Sequence, residues 1–182
     1  MGKNTVIAVS RFDYLKRTKL KIGGKRKMNK YIFFDIDGVL NNSKTVYDGK
    51  SPVILDDKNL KNLRKIVDST NAKLVMISSH KDSWVKGGIG QGEKGDYIDS
   101  KFADYGLTVY DKTGGGLFYK RGRGIKAYIK ANKADGFVIL DDSLCDYVEE
   151  ELKDFWVRPD GANGGLTKTL VKEAITILNK GV

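Results

Sequence analysis

Apolar residues along this chain come in two rhythms. Short continuous runs at 31–34, 73–78, 107–110, 136–140 and 155–157 are rich in Val, Ile, Leu, Phe and Tyr, as expected of strands buried on both faces of a parallel sheet. Between them, stripes at three- and four-residue spacing predict amphipathic helices. Leu60, Leu63, Ile66 and Val67 share one face of a helix that Asp56 or Asp57 caps and that runs to about Ser69. Ile98 and Phe102 face inward on a helix capped by Asp96 and ending near Tyr105. Ile125, Tyr128 and Ile129 mark a third, and Leu170, Val171, Ala174, Ile175 and Leu178 a last one capped by Thr167. The acidic stretch 146–153 reads as a further, solvated helix, and the glycine-rich stretch 82–95 as a mobile loop. Strands alternating with helices imply an α/β fold: a Rossmann-like, doubly wound parallel sheet in three α/β/α layers.

Polar residues gather where these strands end. Asp35 and Asp37 close the first run, Ser78 the second, and Asp141 with Asp142 the run at 136–140. Strand ends of one polarity meet along one edge of a parallel sheet, where such folds place their ligands. Asp35 and Asp37, two apart on an extended chain, project to the same side. Anions held that close call for a cation between them, and magnesium suits carboxylate oxygen. Lys120 and its neighbours Arg121 and Arg123, at the start of the third helix, bring positive charge to the same region.

The order of these pieces resembles the haloacid dehalogenase (HAD) superfamily of phosphohydrolases. Phe33-Phe34-Asp35-Ile36-Asp37-Gly38-Val39-Leu40-Asn41 matches its first motif, Leu74-Val75-Met76-Ile77-Ser78 its second, Lys120 its third, and Val138-Ile139-Leu140-Asp141-Asp142 its fourth. More narrowly, the two serines Ser78 and Ser79, the aspartate pair and Gly165-Leu166-Thr167 are similar to small HAD phosphatase domains of RNA-repair and phage proteins. There the second motif usually continues Ser-Ser-Trp-Arg, whereas here Ser79 is followed by His80, Lys81, Asp82, Ser83 and Trp84.

The resemblance implies a magnesium-dependent phosphomonoester hydrolase working through an aspartyl-phosphate. Asp35 would be the nucleophile and Asp37 the general acid and base, with Ser78 and Lys120 on the phosphate oxygens. Arg121 and Arg123 compete with Lys120 for that last role. Magnesium would be held by Asp35, the Asp37 backbone carbonyl and the second pair, Asp142 directly and Asp141 through water or as an orienting partner. Only a loop and one helix separate the first two motifs, so no large cap domain fits. Residues 80–119 could supply a small flap, and the open site suits a bulky phosphorylated substrate, a small molecule or a nucleic-acid end.

Charge adds one feature. The net charge of +10 is concentrated in residues 1–27, where nine Lys or Arg and one Asp give +8, leaving 28–182 near neutrality. That division predicts a basic amino-terminal arm ahead of a HAD-like domain over 28–182. The arm is a candidate for nucleic-acid phosphates, or, since Met28 stands directly before the first strand, a dispensable extension. A polynucleotide-end or nucleotide phosphatase in repair or salvage is therefore an alternative, and a non-catalytic nucleic-acid-binding module a rival from another class.

Other chemistries fit less well. The run from Gly87 to Gly95 lacks the Lys-Ser/Thr pair of a phosphate-binding loop. A Toprim-like nuclease needs an earlier glutamate, and residues 1–30 contain none. One histidine, His80, and one cysteine, Cys145, do not make a zinc centre; they read as a polar loop residue beside the site and a small apolar filler. The single cysteine fits a reducing, cytoplasmic setting, and nothing resembles a signal peptide or a membrane span.

Overall fold

In the computed structural model, which describes residues 28–114 and 120–181, the five apolar runs form one parallel sheet. Its strands are β1 (Lys30–Phe34), β2 (Lys73–Met76), β3 (Val109–Lys112), β4 (Gly136–Leu140) and β5 (Trp156–Val157), in spatial order β3-β2-β1-β4-β5. The helices are α1 (Asp57–Thr70), α2 (Glu93–Asp104), α3 (Arg121–Asn132) and α4 (Lys168–Lys180).

Alternation along the strands builds two cores. Ile32, Phe34, Leu74, Met76, Val138 and Leu140 face one way and pack with residues of α1, α2 and α4, among them Leu63, Phe102 and Ala174. Tyr31, Phe33, Val75, Ile77, Phe137 and Ile139 face the other way and meet Ile125 of α3, Tyr147 and Leu152. The sheet is thus covered on both faces, as a parallel sheet requires. From β1 the chain travels toward β2, and from β4 toward β5, so the exits of these two adjacent central strands diverge and open a crevice at their carboxyl ends.

Several local expectations change. Asp56 is the cap of α1, accepting from the amides of Lys58 and Asn59 at 2.8 and 3.2 Å. α2 begins at Glu93, three residues before the Asp96 expected to cap it. Gln91 accounts for the difference: its amide nitrogen donates to Asp96 and Asp99, and its carbonyl accepts from the Val85 amide, so Asp96 is engaged from inside the helix. The stretch 82–95 is therefore not all loop; it starts in a 3-10 turn (Ser79–Ser83) and ends in α2. Trp84, Ile98, Phe102, Leu107 and Val109 are buried in the core, so the segments that carry them belong to the domain body, while residues 115–119 of the expected flap lie outside the described residues.

Residues 146–151 form turns, not a helix, and the next helical residues are the 3-10 segment Lys153–Phe155. Asp146 spends its carboxylate outside its own segment, accepting from the amides of Gly122 and Arg123 at 2.7 and 3.4 Å, and so caps α3. The strand starts at β2 and β5 match the expected runs to within a residue, whereas β3 lies two residues later than expected. The basic arm of residues 1–27 lies outside the described residues. Among the described residues, no helix is long and apolar enough to cross a membrane.

Candidate active site

The site forms where β1 and β4 end. The Asp35 amide donates to the Leu140 carbonyl at 2.9 Å, extending the ladder by one residue and setting the first aspartate beside the second pair. One carboxylate oxygen from each of Asp35, Asp141 and Asp142 lies within 4.8 Å of the others. Asp35 and Asp141 are buried and Asp142 is half-buried. All three donors are hard anionic oxygens, the set that magnesium-class cations take.

Arg121 is the cation inside this cluster. Its Nη1 donates to Asp35 Oδ2 at 2.5 Å and to Asp141 Oδ2 at 2.6 Å. Burial alone would lower the Arg121 pKa, but the charges of Asp35 and Asp141 outweigh it and hold the guanidinium above its ordinary value. One positive charge faces three carboxylates, leaving a deficit that a divalent ion would fill. Burial, and then the charge of Asp35, push Asp141 up despite Arg121. Burial also pushes Asp142 up, against a hydrogen bond from Ser143. Asp141 is the more heavily occupied of the pair, since it also accepts from the Tyr147 hydroxyl and the Ser143 amide.

Asp37 stands on the exposed rim. Its Oδ1 accepts from Asn41 Nδ2 at 2.9 Å, and His80 Nε2 lies 3.3 Å from its Oδ2. The His80 hydrogen bond, opposed by partial burial and aided by Asn41, holds Asp37 below the usual carboxylate range. His80, read from the sequence as a bystander, is thus a direct partner of Asp37. Ser78 is fully buried beyond β2, its hydroxyl accepting from the His80 amide at 3.3 Å. The Ile77 amide donates to the Phe34 carbonyl, which sets Ser78 alongside the exit of β1.

The three candidate cations separate. Lys120 occupies the position just before α3, Arg121 enters the carboxylate cluster, and Arg123 pairs with Glu150 at 3.2 Å. A cation not singled out by sequence is Lys81, half-buried one residue after His80. Burial lowers its pKa, with the charges of Arg121 and Lys112 acting the same way against Asp82. Tyr147 was also missed, because an aromatic inside an acidic stretch carries no signal that it turns back onto Asp141. Cys145 packs against the second core layer, and burial lifts its thiol to about 11.

Gly38 makes the close approach possible. Its φ is +72°, and a Cβ there would overlap the Asp142 carboxylate. Gly38→Ala should therefore displace Asp142 and weaken divalent-ion binding about 10- to 100-fold, measured by calorimetric titration on protein whose melting confirms the fold. Unchanged affinity would take Asp142 out of the ion site.

The profile of one protein family, the HAD domain in Swiss Army Knife RNA repair proteins, matches residues 31–171, which span every group described above. The chain belongs to this family. Membership places it in the HAD superfamily. Among curated proteins none matches the chain. Solved structures similar to it include a Legionella pneumophila protein described as a HAD superfamily (subfamily III A) hydrolase, 15% identical with a TM-score of 0.45, the match covering 84% of this chain and 85% of that one. Another is the cobalt-bound deoxy-D-mannose-octulosonate 8-phosphate phosphatase of Haemophilus influenzae, 13% identical with a TM-score of 0.42, covering 84% and 85%.

Proposed function

We propose that this HAD domain is a magnesium-dependent phosphomonoesterase that works through an aspartyl-phosphate on Asp35. The observation that carries the reading is the meeting of Asp35, Asp141 and Asp142 around a common point, with Arg121 fixing the first two. Asp35, Asp142 and the Asp37 carbonyl would hold the ion, with Asp141 orienting. When bound, magnesium supplies charge that screens the phosphate from the nucleophile.

A carboxylate oxygen of Asp35 attacks phosphorus, the bond to the leaving oxygen breaks, and that oxygen takes a proton from Asp37. Water then attacks the phosphorus of the acyl phosphate, giving its proton to Asp37, and Asp35 leaves as carboxylate with inorganic phosphate released. The resting Asp37 is held ionised, so it must gain its proton as substrate arrives; the phosphate's negative charge raises its pKa in the required direction. Ser78 donates to a phosphate oxygen. Lys120, at the position just before α3 where the third motif falls, neutralises another, and half-buried Lys81 is a second cation for the same task.

Polynucleotide ends are a further reading within this class, supported by the family's place in RNA repair proteins and by the +8 charge of residues 1–27. A phosphate-release screen of aryl phosphate, sugar phosphates, nucleotides and 3′- or 5′-phosphorylated oligonucleotides, with and without magnesium, tests both readings. Deleting residues 1–27 should leave turnover of aryl phosphate intact while reducing oligonucleotide affinity and flattening its salt dependence. Salt-sensitive nucleic-acid binding with no turnover of any substrate would instead favour the non-catalytic module.

A further inference from the structure

Beside the carboxylate cluster lies a cavity of about 640 Å³ lined by Asp142, Arg158, Pro159, Asp160, Gly161 and Ala162. Its size is within the range of small-molecule sites, and its walls are mostly polar. It adjoins the site directly. A Cβ on Gly161 would stand 2.9 Å from Gly38 Cα and 3.7 Å from Asp142 Oδ2.

Arg158 is held in this wall in an unusual way for an exposed arginine. Its Nε donates to the Asp142 backbone carbonyl at 2.9 Å, and its guanidinium carbon lies 5.6 Å from the centre of the Trp156 ring. Trp156 in turn donates its indole N–H to the Asp141 carbonyl at 2.7 Å. Both anchors of the guanidinium therefore rest on the backbone of the aspartate pair. Its two terminal nitrogens make no hydrogen bond or ion pair among the described residues, which leaves the part of the fork suited to a tetrahedral anion available. Asp160, the other charged wall, is occupied within its own loop: Oδ1 accepts from the Ala162 amide and Oδ2 from Asn163 Nδ2.

We propose that this cavity receives the leaving group and that Arg158 selects substrates carrying a second phosphate there. The inference rests on the phosphomonoesterase reading and deepens it, from any phosphomonoester to one whose leaving portion bears another phosphate. Two sources share that chemistry, a nucleoside bisphosphate and the first internal phosphodiester of a phosphorylated oligonucleotide. A fixed guanidinium 2.9 Å from the Asp142 carbonyl discriminates between leaving groups by charge, without touching the phosphoryl group that is transferred.

The test compares kcat/KM for a nucleoside monophosphate, the matching 3′,5′-bisphosphate and a phosphorylated dinucleotide, in wild type and Arg158→Gln. The glutamine amide can still donate to the Asp142 carbonyl, so the comparison isolates the fork and its charge. At least one two-phosphate substrate should be preferred by wild type, and the variant should lose about ten-fold more on it than on the monophosphate. Which of the two responds identifies the source. Equal losses on all three substrates, or no wild-type preference, overturn the proposal. Calorimetric binding of the same compounds to Asp35→Asn protein, with and without Arg158→Gln, reads the contact without turnover. An Arg158-dependent preference there upholds the subsite even if aryl phosphate hydrolysis fails, and its absence overturns the subsite even if hydrolysis succeeds.

Discussion

Arg121→Met lowers the stability of the ion-free protein by about 3–5 kcal/mol, the usual cost of removing one partner from a buried charge pair. Arg121 and its partners Asp35 and Asp141 have side chains that are 4%, 4% and 0% exposed, so water cannot replace the lost guanidinium. Methionine keeps the length and the packing, which confines the effect to charge. Two consequences separate this from a loss of packing. Burial and then Asp35 raise the Asp141 pKa in the folded protein against Arg121 and the hydrogen bonds from Tyr147 and Ser143, so removing Arg121 raises it further. The folded variant then binds more protons than the unfolded chain between the ordinary aspartate value and the raised one, so its stability is highest at the acidic end of that window and falls as pH rises through the raised pKa. Magnesium should restore much of the loss, because an ion that binds only the folded state adds about 2.7 kcal/mol at a hundred times its Kd. Urea titrations at several pH values, with magnesium or chelator, measure all three effects. A variant as stable as wild type and indifferent to magnesium would mean that the carboxylate cluster does not depend on positive charge.

The reach of sequence reasoning differed between the frame and the site for physical reasons. Continuous apolar runs such as 31–34 and 136–140 are interpretable because a strand buried on both faces has no polar alternative, and their parallel pairing follows from the helical stripes between them. The aspartates at 35, 141 and 142 were legible because strand direction alone brings them to one edge. What escaped depends on side chains crossing between segments. Whether Lys120 or Arg121 turns inward is decided by the phase of the first turn of α3, and Asp146 sets that start from 24 positions away. At 146–151 the chain completes a single turn and stops, because Glu151 adopts φ +59° and the Leu152 amide turns back to the Tyr147 carbonyl. His80 was undervalued because a lone histidine in a loop carries no periodicity; its pairing with Asp37 arises only when the 3-10 turn after β2 folds back beside β1.

Asp35→Asn should reduce phosphate release by at least about 10⁴-fold, the scale seen when a covalent nucleophile is removed, equivalent to roughly 5–6 kcal/mol of transition-state stabilisation. The carboxamide has nearly the same shape but cannot form an acyl phosphate. Its effect on folding should be far smaller. Asp35 accepts from the Ile36 amide through Oδ1 and from Arg121 through Oδ2, and asparagine has an acceptor for only one of them. The unmatched donor costs about 1–3 kcal/mol, partly offset by removing one of three crowded negative charges. The variant therefore melts cooperatively but turns over almost nothing. Acid quenching followed by peptide mass spectrometry distinguishes this from a metal-binding role alone. Wild type incubated with magnesium and an aryl phosphate, whose leaving oxygen needs no proton from Asp37, carries a phosphate on the peptide containing Asp35, Asp37→Asn accumulates more of it because hydrolysis of the acyl phosphate has lost its base, and Asp35→Asn carries none. Turnover within ten-fold of wild type in Asp35→Asn, or an adduct on any other residue, removes Asp35 from the nucleophile's place and leaves the cluster as an ion site alone.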